Sequence, residues 1–145
     1  MIRRLAALLA AGLAISACGS LSAPAALSAW VNQSNFHVSA TALRSDAHHS
    51  ATALRDLAST SNVLHTVCGV LLVDTQSANA SLPTPDDQST TLLSSAYTDF
   101  GAGANECYRA SSSAEKRATA LATLERAVAF LSEATARINT AAAGS

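Results

Sequence analysis

The stretch that decides the fold is CGVLLVDTQSANASLPTPDDQSTTLLSSAYTDFGAGANEC, Cys68 to Cys107. Near its middle, Leu82-Pro83-Thr84-Pro85-Asp86-Asp87 divides it into two helical segments with one cysteine on each. Proline lacks a backbone N–H and pushes the residue before it away from helix, so the pair of prolines marks a turn. After the turn, Thr84 is placed to cap a helix and Pro85 to occupy its first position. Asp86 and Asp87 then set negative charge at the positive end of the helix dipole. That helix continues through Leu92, Leu93, Ala96, Tyr97, Phe100, Ala104 and Cys107. Gly101-Ala102-Gly103 lies inside it, and each glycine costs about 1 kcal/mol relative to Ala, so the run permits a close helix contact or a kink. Before the turn, a helix over roughly 62–80 carries Val63, Leu64, Val67, Cys68, Val70, Leu71, Leu72 and Val73. It is apolar around most of its circumference and is expected to be the most buried helix. A strand over Val70 to Val73 would be four residues long with no second strand to pair with.

Joining Cys68 to Cys107 would add about 4 kcal/mol in the loop-entropy account. Helical rise places Cys68 about 15 Å before Ala78 and Cys107 about 33 Å beyond Pro85. A tight turn therefore leaves the cysteines about 18 Å out of level. The six residues Asn79 to Thr84 can span about 20 Å when extended. A bridge thus requires the connector to run alongside the next helix.

Working outward, the chain begins with two arginines, Arg3 and Arg4, and an apolar run from Leu5 to Ile15. The run is shorter than the roughly 20 residues that span a bilayer. Ile15-Ser16-Ala17-Cys18 looks like a bacterial lipobox, whose cysteine is acylated and becomes the new N-terminus. Residues 1–17 are accordingly expected to be a lipoprotein signal peptide and 18–26 a lipidated, flexible tether. A helical domain over 27–142 follows. Cys18 is the expected lipid attachment point, on the extracytoplasmic face of the cell membrane, where two or more acyl chains hold stably. That compartment also permits a Cys68–Cys107 disulfide.

Between the tether and Cys68, apolar residues recur at helical spacing from Ala29 to about Ala58, with Phe36, Leu43, Leu54 and Leu57 as the core side. Arg44, His48 and Arg55 fall on the other side. Ser59-Thr60-Ser61-Asn62 is the expected break, because these side chains compete for backbone hydrogen bonds. One bent helix from Ala29 to Ala78 is the alternative. Beyond Cys107, Ser112-Ser113-Ala114-Glu115 has the form of a capping box. It opens a last helix on Leu121, Leu124, Val128, Leu131, Ala134 and Ile138, with Arg117, Glu125, Arg126, Glu133 and Arg137 as solvated charges. The fold expected is all-α: an antiparallel bundle of four helices, or three if the first is continuous.

Composition narrows function mostly by exclusion. The residues after Cys18 carry seven basic and ten acidic side chains, a net charge of −3. A nucleic-acid surface asks for clustered Lys and Arg, which are missing. His37, His48, His49 and His65 show no metal-ligand spacing, and no phosphate loop or nucleophile elbow is present, so no metal or cofactor is assigned. Trp30 stands at a helix start, where such a residue packs on the next helix or rests on a membrane or partner.

One resemblance can be stated. Cys68-x-x-Leu71-x-x-Asp74, then Leu82-Pro83-Thr84-Pro85-Asp86, then Ala96-Tyr97 and a Gly/Ala-rich run to Cys107 resemble small secreted or lipid-anchored helical proteins of actinobacteria. The resemblance covers about forty residues. It implies an exported helical bundle with a cysteine bridge and supplies no catalytic or ligand-binding residue. The function expected is that of a non-enzymatic envelope lipoprotein, binding envelope components or a partner protein. A carrier with an apolar pocket among Phe36, Tyr97, Phe100 and Phe130 is the alternative. An enzyme built on Asp46, His49, Asp86 or Asp87 stands third, and requires two or more of these to share a cleft.

Overall fold

The computed structural model describes residues 21–144, so Cys18 and the expected signal peptide lie outside the described residues. Five helices follow in order: α1 Ala23–Gln33, α2 Phe36–Arg55, α3 Ser61–Asn79, α4 Asp87–Ala110 and α5 Ala114–Ala142. No strand occurs among the described residues, Val70 to Val73 included. Helices α2 to α5 form a ring in which each packs on the next and α5 closes on α2, while α1 lies against α5 and α2. Four helices were expected and five are found. The stretch read as one helix from Ala29 to Ala58 is split at Ser34-Asn35, where Asn35 adopts the left-handed conformation (φ 50°). Asparagine tolerates that region better than most residues. The Ser34 hydroxyl donates to Trp30 O (2.7 Å) and completes the stop.

Helix α1 starts inside the stretch assigned to the tether, with Pro24 in its first turn, where a missing N–H is harmless. It is tied down by Leu27, which is buried, and by Trp30. The Trp30 ring meets Phe36 at 5.5 Å, and its indole N–H donates to Ser81 O (2.9 Å) in the turn between α3 and α4. That turn is not extended from its start. Ser81 N and Leu82 N first bond back to Ala78 O and Asn79 O, and only 82–85 runs without regular structure.

The cysteines meet as expected: Cys68 on α3 and Cys107 on α4 form a disulfide with Cα atoms 6.0 Å apart. They join a core of Phe36, Leu43, Leu54, Leu64, Leu71, Leu93, Phe100, Leu131 and Ile138, filled between with alanine. Gly103 belongs to this packing. A Cβ there would lie 2.7 Å from Leu124 Cδ2 and 3.3 Å from Leu124 N, so its lack of a side chain lets α4 and α5 approach closely.

Several local expectations are corrected. The cap of α4 is Asp86, whose carboxylate accepts from Ser89 N (2.9 Å), so Pro85 sits before the helix. Thr84 is buried and holds the loop instead: its N–H donates to Thr90 Oγ1 (2.9 Å), and its hydroxyl donates to Asp86 O (2.7 Å). The cap of α5 is Ser113, which puts Lys116 and not Glu115 at the position a capping box requires. Leu57 is 74% exposed, because α2 has already ended at Arg55 and Asp56 folds the following residues into a turn.

The largest correction is Arg117, read as a solvated charge and found 3% exposed. Its Nε donates to Ser111 O (2.7 Å), Nη1 to Asp56 O (2.7 Å) and Ala53 O (3.3 Å), and Nη2 to Ser59 O (2.8 Å). The last carbonyls of a helix have no partner within it and carry partial negative charge. Arg117 satisfies them at the end of α2 and ties that end to the turn before α5.

Candidate interaction surface

Helix α3 carries two stripes. Leu64, Cys68, Leu71, Thr75 and Ala78 recur at spacings of three and four and face the core. Thr66, Gly69, Val70, Val73 and Ser77 recur at the same spacings on the far side of the helix. Val70 is 48% and Val73 59% exposed, and Thr66 and Ser77 are also exposed. The helix expected to be the most buried therefore shows two valines on an uncharged face to the outside. The reason is topological: α3 touches α2 and α4 along one side only, and no further helix among the described residues covers the other.

The residues of this outer face are poor choices for a solvated helix. Glycine costs about 1 kcal/mol in a helix interior, and valine loses side-chain freedom there. Gly69 has no packing reason among the described residues, since a Cβ at that position would meet nothing within 4 Å. Asp74 is the one charged side chain among the 19 residues of α3. Along the α4 edge, His65 stacks flat on Tyr108, with centroids 4.0 Å apart and planes at 9°. Along the α2 edge, exposed Val63 and part-buried Val67 line a cleft of about 440 Å³ with His48, His49, Thr52 and Asp56.

The four candidate catalytic residues are divided between two places. Asp46 and His49 lie on α2, where Asp74 of α3 faces Asp46. Burial pushes the Asp46 carboxyl up, the Asp74 carboxyl beside it pushes the same way, and His49 pulls it down. Asp46 Oδ2 is buried with no hydrogen-bond donor. Asp86 stands elsewhere, at the start of α4, where it accepts from Arg137 Nη2 (2.9 Å), Arg137 Nε (3.2 Å) and the Ser89 hydroxyl (2.6 Å). Arg137 and Ser89 hold its carboxyl well below the usual carboxylate range. Asp87 is an exposed first-turn acid on the same helix. Both residues of this second pair do the work of a helix start.

The alternative reading placed an apolar pocket among Phe36, Tyr97, Phe100 and Phe130. Phe36, Tyr97 and Phe100 are packed in the core, and burial pushes the Tyr97 phenol up to about 12. Phe130 instead borders a surface hollow with Asp99 and Arg126. Other clefts are open to solvent. One, of about 410 Å³ beside the α4–α5 turn, sets Glu106 and Glu115 against Arg109 and Lys116 and so selects no ligand charge. Another, of about 330 Å³, lies between α2 and α5 on a floor of Ala47, Ala51, Leu124 and Val128.

Among the described residues, no three His, Cys, Asp or Glu side chains group as metal ligands. No described helix is long and apolar enough to cross a membrane. Comparison with known protein families, curated proteins and solved structures finds no match for this chain.

Proposed function

We propose that this chain is a non-catalytic envelope module, held on the extracytoplasmic face of the cell membrane through lipid on Cys18, that docks a helix of a partner protein on α3. In this reading α2 to α5 are an antiparallel four-helix core, and α1 is an added cover at the tethered end. The single observation that carries it is the outer stripe Thr66, Gly69, Val70, Val73 and Ser77, uncharged, with two exposed valines at its centre and notched at Gly69. Helix packs on helix along rows of residues three and four apart, which is the spacing of this stripe. The lipobox at Ile15-Ser16-Ala17-Cys18 and the resemblance to actinobacterial envelope proteins support the location. The net charge of −3 after Cys18 supports a protein partner over a nucleic acid.

The test is photo-crosslinking from a reactive residue placed at position 73 in the acylated protein in its native membrane, with position 133 on α5 as control. Adducts of one discrete mass from 73 and none from 133 are expected. Val70→Lys, placed beside the crosslinker, should remove them without lowering Tm. Equal adducts from both positions, or none from 73, would overturn the docking reading. The anchor is tested separately by Cys18→Ser, which should move the protein from the membrane to the aqueous fraction.

A further inference from the structure

The seam between α2 and α5 is lined on the α2 side by alanine. Ala47 and Ala51 face Leu124 and Val128 across a trough of about 330 Å³, within the range of about 300–1,000 Å³ in which small-molecule sites fall. An arginine stands at each end of it. Arg55 Nη2 meets Glu125 Oε1 at 3.0 Å, so its charge is balanced. Arg44 Nη2 donates to Thr135 Oγ1 at 2.8 Å, a neutral acceptor. The Thr135 hydroxyl donates in turn to Leu131 O (2.6 Å), which leaves its lone pair turned to Arg44 and fixes the guanidinium in place. A guanidinium has five N–H donors, and the structure gives Arg44 one protein acceptor.

Local charge runs against the rest of the molecule. The residues after Cys18 carry a net −3, yet Arg44 and Arg55 border this trough against a single carboxylate, Glu125. The chemistry that fits is an apolar chain on the alanine floor with an anionic head on Arg44. The volume admits one chain, and the planar guanidinium edge matches a carboxylate in two-point fashion. We infer that the α2–α5 trough binds a free fatty acid, its acyl chain along Ala47, Ala51, Leu124 and Val128 and its carboxylate on Arg44. This site does not involve α3 and stands or falls apart from the docking face.

The experiment is calorimetric titration of the full chain with dodecanoate below its micellar concentration. Saturable one-to-one binding is expected. Arg44→Gln should weaken it about tenfold or more, the loss of a charge-assisted hydrogen-bond pair. Arg44→Lys, which keeps the charge and loses the fork, should fall between the two. Ala51→Leu, which fills the floor, should abolish binding with the helical circular dichroism unchanged, and Val73→Lys on α3 should leave affinity unaltered. Dodecyltrimethylammonium, with the same chain and opposite head charge, should not bind. The inference is overturned if dodecanoate does not bind saturably, or if Arg44→Gln and Arg44→Lys both bind like the unaltered chain. Binding of phosphatidylglycerol vesicles without binding of free dodecanoate would also overturn it.

Discussion

Between α4 and α5, the backbones approach until Gly103 leaves no room for a Cβ against Leu124, and opposite charges meet across the seam. Arg126 takes both oxygens of Asp99 (2.6 and 2.9 Å), and Arg137 takes both oxygens of Asp86. Between α2 and α3, like charges meet instead. Asp46 faces Asp74, one of its oxygens has no donor, and the polar contact nearby, from the Ser50 hydroxyl to Val67 O, is long at 3.4 Å. The first seam closes the molecule. The second leaves α3 with a face that no other described residues cover, and unresolved local costs of this kind collect at functional surfaces. The disulfide joins α3 to α4, and so holds the second half of the ring to the first.

If that division is right, the largest loss comes from cutting the tie between the halves. Replacing Cys68 and Cys107 together by serine should lower stability by about 4 kcal/mol, mainly by freeing the unfolded chain, as read from denaturant melts. A loss under about 1 kcal/mol would mean that α3 is held by packing alone. Arg117→Met comes next, at about 3 kcal/mol, because it leaves several carbonyls at the end of α2 and in the α4–α5 turn without donors. Hydrogen exchange should show α2 opening first at 53–56.

The Arg117 case also shows what the sequence could and could not disclose. Periodicity located α3, α4 and α5 and the core positions Leu64, Leu71, Leu93, Leu124, Leu131 and Ile138, since burial follows spacing wherever a helix has neighbours. The cysteine pair was legible because the prolines at 83 and 85 fold back on each other the two helices that carry Cys68 and Cys107. An arginine between Lys116 and Ala118 reads as solvent-facing, because what buries it is the free carbonyls of a helix 60 residues away. The Ser34-Asn35 break was hidden by the heptad phase, which continues across it: Phe36 and Leu43 keep their register on α2, while Trp30 and Leu27 turn to a different partner. The outer stripe of α3 was in view as excess valine. Its exposure was not, because the sequence says how apolar a helix is and not how many neighbours it has.

A sharper contrast uses one substitution twice. Gly103→Ala places a Cβ against Leu124 and should cost about 2 kcal/mol, since Leu124 N as well as its side chain is in the way. Gly69→Ala meets open space on the outer face of α3 and should stabilise the isolated protein by about 1 kcal/mol. Thermal melts of the two variants should move in opposite directions. If Gly69→Ala also destabilises, α3 is packed on that side and the docking face is lost.

The smallest effects separate the seams by pH. The Asp86 carboxyl is held below its unfolded value by Arg137 and Ser89, so its contribution is present above the ordinary carboxylate range and fades as pH falls through the folded value. Asp86→Asn keeps a capping oxygen and should cost about 1 kcal/mol at neutral pH, with a flatter acid limb. The Asp46 carboxyl is pushed the other way, by burial and by Asp74, so its contribution is complete below the unfolded value and is lost as pH rises through the folded one. Asp46→Asn should therefore raise stability at neutral pH, leave it unchanged below the unfolded carboxyl value, and steepen the rise between the two. Opposite signs at pH 7 would show that α4–α5 is bound by its charges while α2–α3 closes in spite of them. Equal signs would place both aspartates in the same structural role and remove the electrostatic contrast between the two seams.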